Sequence, residues 1–191
     1  MRLQSSFRIA LPDWCADYAA GLPERLPDPA DRMAVAVELS QRNVEAGTGG
    51  PFGAVVSAVA DGTIVALGVN RVESDRCSSA HAEIVALSLA QAGLATWNLG
   101  EVDIAPLELA SSCEPCAMCL GAIPWSGIRR LICGATREDA EATGFDEGER
   151  PGDWIGTLER RGIEVFRKVL RERAAGVLRE YRERGATIYN P

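Results

Sequence analysis

His81 stands two residues before Glu83, and a Pro115-Cys116-Ala117-Met118-Cys119 run follows later in the chain; His81 is the sequence's one histidine. One imidazole and two thiolates are ligands that zinc takes in tetrahedral geometry, and three protein ligands leave a fourth position for water, the mark of a catalytic site. Zinc brings the pKa of such a water to about 7, so a nearby carboxylate that is not itself a ligand can serve as general base. Glu83 is that carboxylate, and His81, Cys116 and Cys119 are the expected metal ligands. Cys116 and Cys119, three apart on a helix, share a face. At its N-terminus, which Pro115 would lead as first helical residue, free amides and the macrodipole favour thiolates. His81 and Glu83 are harder to place, because residues two apart in a regular helix point about 200° away from each other. Both reach one metal only near a helix end.

Other readings of these residues are blander. A Cys-x-x-Cys pair alone can be a redox motif, and Cys113 could complete a closed structural site of three thiolates and one imidazole. That second reading leaves Glu83 without a task. Cys15, Cys77 and Cys133 read as buried small side chains. Six cysteines, three of them within seven residues, suit metal binding in a reducing cytoplasm better than a disulfide framework. The 191 residues carry 20 Lys and Arg against 27 Asp and Glu, a formal charge of −7, which argues against holding nucleic acid by bulk electrostatics. Nine basic and four acidic residues interleave between Arg160 and Arg184, and such mixed runs read as a solvated face. No segment resembles a signal peptide or approaches the 18 apolar residues of a membrane span.

The elements that must position these residues read as helices alternating with strands, a layered α/β domain. Residues 1–27, with Pro12, Pro23 and Pro27, look like an irregular N-terminal extension, and residues 28–191 form a single domain ending in a helix and tail. Asp28 caps a helix running to Gly47, with Pro29 in its first position. Ala54–Ala60 and Thr63–Gly68 read as strands joined by a tight turn at Asp61-Gly62. A helix follows over Ala80–Ala92, then a strand over Ile104–Ala110 despite Pro106, a short helix from Cys116 to Ala122, and a strand over Arg129–Gly134. Thr136–Thr143 reads as helix and Ile163–Arg167 as a last strand. Leu170, Ala174, Val177, Leu178 and Tyr181 mark the buried face of a final helix.

His-x-Glu combined with Pro-Cys-x-x-Cys is the signature of the zinc deaminases. The chain resembles the cytidine deaminase-like zinc hydrolases, and within them the guanine deaminases, from about Gly50 to Glu147. Gly50-Pro51-Phe52-Gly53-Ala54, Ser111 to Cys116, Gly121-Ala122-Ile123-Pro124-Trp125 and Ala142-Thr143-Gly144-Phe145-Asp146-Glu147 carry the likeness. It implies a three-layer α/β/α sandwich around a mixed five-stranded sheet, one Zn2+ per subunit, a homodimer and a small purine substrate. It also implies that Glu147 is a second catalytic carboxylate beside the substrate's amino group. Asn70 and Ala82 would bind substrate, Phe52 and Trp125 would wall the pocket, and Tyr189 in the tail would contact the base in its own or the neighbouring subunit. Ala117 departs from the pattern, standing where relatives commonly have proline.

The activity so implied is hydrolysis of guanine to xanthine and ammonia. The alternatives are a deaminase of guanosine, aminotriazine, cytosine or adenosine in tRNA, and, from another class, a structural zinc module without catalysis.

Overall fold

The computed structural model describes residues 3–189. In chain order it runs α1 (Trp14–Ala20), α2 (Pro29–Glu45), β1 (Gly53–Ala58), β2 (Ile64–Val69), α3 (Ala82–Gly93), a 3-10 turn (Leu99–Glu101), β3 (Leu107–Cys113), α4 (Ala117–Ser126), β4 (Arg130–Ala135), α5 (Arg137–Thr143), α6 (Trp154–Glu159), β5 (Glu164–Phe166) and α7 (Arg171–Glu183). The strands lie in the order β2-β1-β3-β4-β5. β1 is antiparallel to both neighbours, and β3, β4 and β5 are parallel. Strands β1 and β3 are buried along their whole length, so their polar residues Ser57, Glu108, Ser111 and Ser112 are buried with them and neither strand shows an exposed polar face. Val55, Ala110 and Ile132 face one core with Met33 and Val37 of α2 and Leu178 of α7. Leu109, Leu131 and Val56 face a second core with Ala86 of α3 and Ile123 of α4. Two cores on opposite faces of one mixed five-stranded sheet make the expected three-layer sandwich.

Several local expectations are corrected. The N-terminal extension is not irregular throughout: Pro12 and Pro23 frame α1, whose Cys15 is buried, and Trp14 Nε1 donates to Thr48 Oγ1 at 3.0 Å. Arg25 then bridges to Thr63, laying the extension along the outer side of β2. The turn at Asp61-Gly62 lies in a longer connection, with a register shift between Val56 and Ser57. Pro106, with no N–H to give a ladder, stands just outside β3, and the strand runs on to Cys113. Cys77 is half-buried, not buried, and α6 has no counterpart in the sequence reading.

Two capped helices fix the layer carrying the C-terminal tail. Asp28 Oδ1 accepts from Ala30 N at 2.8 Å, as its position promised. Thr136 and Asp139 form a capping box on α5. Asp139 also receives a two-pronged grip from Arg171 of α7, Nε to Oδ2 at 2.8 Å and Nη2 to Oδ1 at 2.7 Å. The Arg171 hydrogen bonds are the largest cause holding the Asp139 carboxyl below its ordinary value of 3.8, against some desolvation. A depressed folded-state pKa stabilises the fold above the unfolded value, and the contribution is lost as pH falls through the folded one. Asp139→Asn is therefore expected to lower stability by about 1–2 kcal/mol at pH 7 and by much less at pH 3. Urea unfolding at the two pH values checks this, and an equal loss at both would contradict it.

Candidate functional site

Each half of the constellation sits where a helix begins. His81 is the N-cap residue of α3, with extended backbone at φ −70° and ψ 155°, and Glu83 lies in the first turn. The 200° conflict disappears because only Glu83 is inside the helix. Gly68 of β2 permits this close start, since a Cβ there would fall 2.3 Å from the Ala82 carbonyl oxygen. Across the site, β3 ends at Cys113 and hands over through Glu114 and Pro115 to Cys116, the N-cap residue of α4, with Cys119 in the first turn. Pro115 thus precedes the cap instead of opening the helix. The two cysteines meet as cap and third helical residue, not as two residues on one helical face.

The ligand atoms of His81, Cys116 and Cys119 all lie within 4.8 Å of one another. His81 Nδ1 is 3.5 Å from Cys116 Sγ. Tetrahedral zinc, with Zn–N of 2.0–2.1 Å and Zn–S of 2.3 Å, holds such atoms about 3.5 Å apart, the spacing His81 and Cys116 already have, so the donor set suits zinc. Cys113 does not join them: its buried Sγ faces Thr136 O at 3.6 Å. A closed four-ligand site is therefore absent among the described residues.

The space beside the three ligands is a cavity of about 20 Å³ lined by Phe52, His81, Glu83, Glu114, Cys116, Phe145, Glu147 and Tyr189. Phe145 meets Phe52 edge-on at 5.0 Å and Tyr189 at 5.2 Å between ring centres. The Tyr189 ring lies against Gly50, where a Cβ would stand 2.6 Å from it. Its hydroxyl is buried without a hydrogen-bond partner among the described residues. Burial, with Cys116 adding to it, pushes the Glu83 carboxyl up. The same causes, desolvation first, bring Glu147 up to about 8. The Cys116 thiol is brought down to about 4, chiefly by the hydrogen bond from Cys119 and, against desolvation, by His81. A lowered thiol and two raised carboxyls around one small cavity suit metal-assisted acid–base chemistry.

The description "Cytidine and deoxycytidylate deaminase zinc-binding region" fits residues 28–135. The chain belongs to that deaminase family. The guanine deaminase of Bacillus subtilis (strain 168) is 39% identical over 137 residues, 72% of this chain and 83% of its own length. A solved guanine deaminase from Nitrosomonas europaea is 46% identical with a TM-score of 0.89, covering 96% of this chain and 100% of the other. A solved protein in complex with 2,6-diaminopurine is 48% identical with a TM-score of 0.90, covering 97% of each chain. The family match stops at the end of β4, before the loop of Glu147 and the tail of Tyr189. The likeness to the two solved structures covers 96–97% of the chain, well beyond that boundary.

The deaminase fold brings six of the expected residues, Phe52, His81, Glu83, Cys116, Glu147 and Tyr189, to one cavity, with Cys119 beside them. Asn70 is fully buried one step behind the wall: its N–H donates to Phe52 O at 3.0 Å, its Oδ1 accepts from Val72 N, and its Nδ2 has no partner among the described residues. Ala82 is buried and does not line the cavity. Trp125 is not a wall of this chain's pocket, because it stands 80% exposed on the outer face of α4. Glu114 and Phe145 were missed. Both lie in stretches that carry the family likeness, between Ser111 and Cys116 and in Gly144-Phe145-Asp146, and that was the available signal.

Proposed function

We propose that this deaminase converts guanine and water to xanthine and ammonia. The observation that carries the reading is the convergence of Glu83 and Glu147 on one aromatic-walled cavity beside His81, Cys116 and Cys119. Zinc held by those three supplies a Lewis acid that lowers the pKa of water to about 7. Glu83 takes a proton from the attacking water and delivers it to a ring nitrogen, which makes C2 of the base electrophilic. After attack, C2 carries both an oxygen and the amino group. Glu83 then takes the remaining proton from the C2 oxygen and passes it to that amino group, which Glu147 holds on its far side, so that the C2–N bond breaks with ammonia leaving and a C2 carbonyl remaining. Phe52 and Phe145 would abut the flat base, and the buried Nδ2 of Asn70, without a partner among the described residues, is left to donate to it. A cavity of about 20 Å³ holds water and not a purine, so Tyr189 and the tail must withdraw for the base to enter.

Ammonia release from the zinc-loaded protein tests this against guanine, guanosine, adenine, cytosine, cytidine, an aminotriazine and tRNA. Salt-independent release from guanine, with xanthine formed in equal amount, is the expected result. Release from tRNA alone, or from none of them, overturns it. Likeness to the guanine deaminase from Nitrosomonas europaea, at 46% identity over 96% of this chain, supports the free base over the other substrates.

The functional unit is a homodimer. Helix α4 is apolar on its inner and outer faces alike, a pattern that belongs to a helix covered on both sides. Trp125, Met118 and, from the segment after α3, Trp97 are exposed by 80%, 40% and 77%. Trp125→Glu is expected to yield monomers in sedimentation, and an unchanged dimer would put the interface elsewhere. All six cysteines are unpaired, in keeping with a reducing cytoplasm, and no helix among the described residues is long and apolar enough to cross a membrane.

A further inference from the structure

The segment from Gly144 to Asp153, between α5 and α6, has no helix or strand of its own, so the position of Glu147 is set by what ties the loop down. Three ties bind it to the start of α4. The Ala117 N–H, a first-turn amide with no acceptor inside the helix, donates to Glu147 O at 2.9 Å. Gly148, at φ +69°, turns the chain directly over Ala117, whose Cβ would be 3.1 Å from a Cβ placed there. Arg150 then reaches back past the loop: Nη1 donates to Pro115 O at 3.2 Å and Nη2 to Glu114 Oε2 at 2.7 Å. Its guanidinium lies 4.9 Å over the Trp154 ring, and its side chain is only 6% exposed. Glu114 is itself buried and is also gripped by Arg167, Nε to Oε1 at 2.5 Å.

We infer that Arg150 is a positioning residue for the reaction, a planar fork that fixes Glu147 in register with the ligand Cys116. It bridges the loop three residues after the carboxylate to the two residues that directly precede the thiolate. The inference rests on the functional reading above. A guanidinium holds a carbonyl and a carboxylate through separate N–H groups in one fixed plane that also stacks on an indole, whereas an ammonium's three donors radiate from a single rotatable nitrogen with no face to stack. Arg167 supplies the control, because it touches the same Glu114 carboxylate without tethering the loop.

The test compares zinc-loaded Arg150→Gln, Arg150→Lys and Arg167→Gln in guanine turnover, bound zinc and amide hydrogen exchange. Both Arg150 variants are expected to keep one zinc per chain and a KM within about twofold, while kcat falls about 10- to 100-fold, the usual cost of losing a group that orients a reacting one. Arg167→Gln is expected to stay within about threefold of the parent. Arg150→Gln in a Glu147→Gln background is expected to cost little more, because its effect runs through Glu147. Equal losses in Arg150→Gln and Arg167→Gln, full recovery in Arg150→Lys, or losses that multiply with Glu147→Gln would each overturn the inference. Exchange at residues 145–150 and at the Ala117 amide is expected to quicken in Arg150→Gln and not in Arg167→Gln. That readout decides the tether even if guanine proves not to be the substrate, and unchanged exchange would overturn it.

Discussion

Glu83→Gln is expected to keep zinc at one ion per chain and to lose guanine turnover by about 10²- to 10⁴-fold, the range that a positioned proton-transfer group contributes. The substitution keeps shape and hydrogen-bonding reach but removes the site that accepts a proton. Two observations separate this outcome from a general loss of structure. Glu83 is not among the ligand atoms that converge within 4.8 Å, so the metal site stays intact. Its carboxylate is buried and desolvated, and a neutral amide in that place relieves a charge the cavity disfavours. The variant is thus expected to melt at or above the parent's temperature. Ammonia release, zinc content and thermal unfolding on one preparation check all three points. Turnover within tenfold of the parent would remove Glu83 from the proton path, and loss of zinc would make it a metal-supporting residue instead.

How much of this was legible in the sequence depended on how local each feature is. The ligand set could be read because zinc chemistry restricts residue types and because His-x-Glu and Pro-Cys-x-x-Cys are compact. Their detailed placement could not, since whether a residue caps a helix or opens it turns on one pair of dihedral angles, and His81 and Cys116 both proved to be caps. The long buried strands and amphipathic α7 announced themselves through apolar pattern. The six-residue α6 and the α1 enclosed by prolines are too short for periodicity to speak. Trp125 could have been placed by arithmetic: six residues beyond Cys119 at about 100° each is a 240° rotation, away from the metal. Glu147 lies on a loop without period, so only the family likeness marked it. The ion pairs that hold that loop, Glu114 with Arg150 and Arg167, join residues 36 and 53 positions apart and leave no trace in local sequence.

At the other end of β3 a second buried charge cluster is expected to govern stability instead of chemistry. Arg32 and Glu108, with side chains 1% and 0% exposed, meet with Nε 2.5 Å from Oε1. Arg32 also donates through Nη1 to Leu26 O at 2.6 Å and Pro27 O at 3.0 Å, fastening the chain that enters α2 to the sheet. Arg32→Met removes those bonds and leaves Glu108 with Ser57 Oγ at 3.2 Å and the looser Arg130 at 3.5 Å. Breaking one side of a buried pair costs about 3–5 kcal/mol, mostly as the penalty of the charge left behind. Burial already pushes the Glu108 carboxyl up against the pull of Arg32 and Arg130, and without Arg32 its folded-state value rises further. A group whose pKa is raised on folding favours the folded state more as pH falls, so the deficit of Arg32→Met should narrow between pH 7 and pH 5. Arg32→Met with Glu108→Leu, which removes both charges, should recover most of the loss, since an apolar pair of similar volume can replace a buried ion pair at little cost. Urea unfolding of the zinc-loaded proteins measures each term. A single variant within 1 kcal/mol of the parent would mean that neither the charge pair nor the bonds to Leu26 and Pro27 matter to stability, and a double variant no better than the single would place the loss in those bonds and not in the charge left behind.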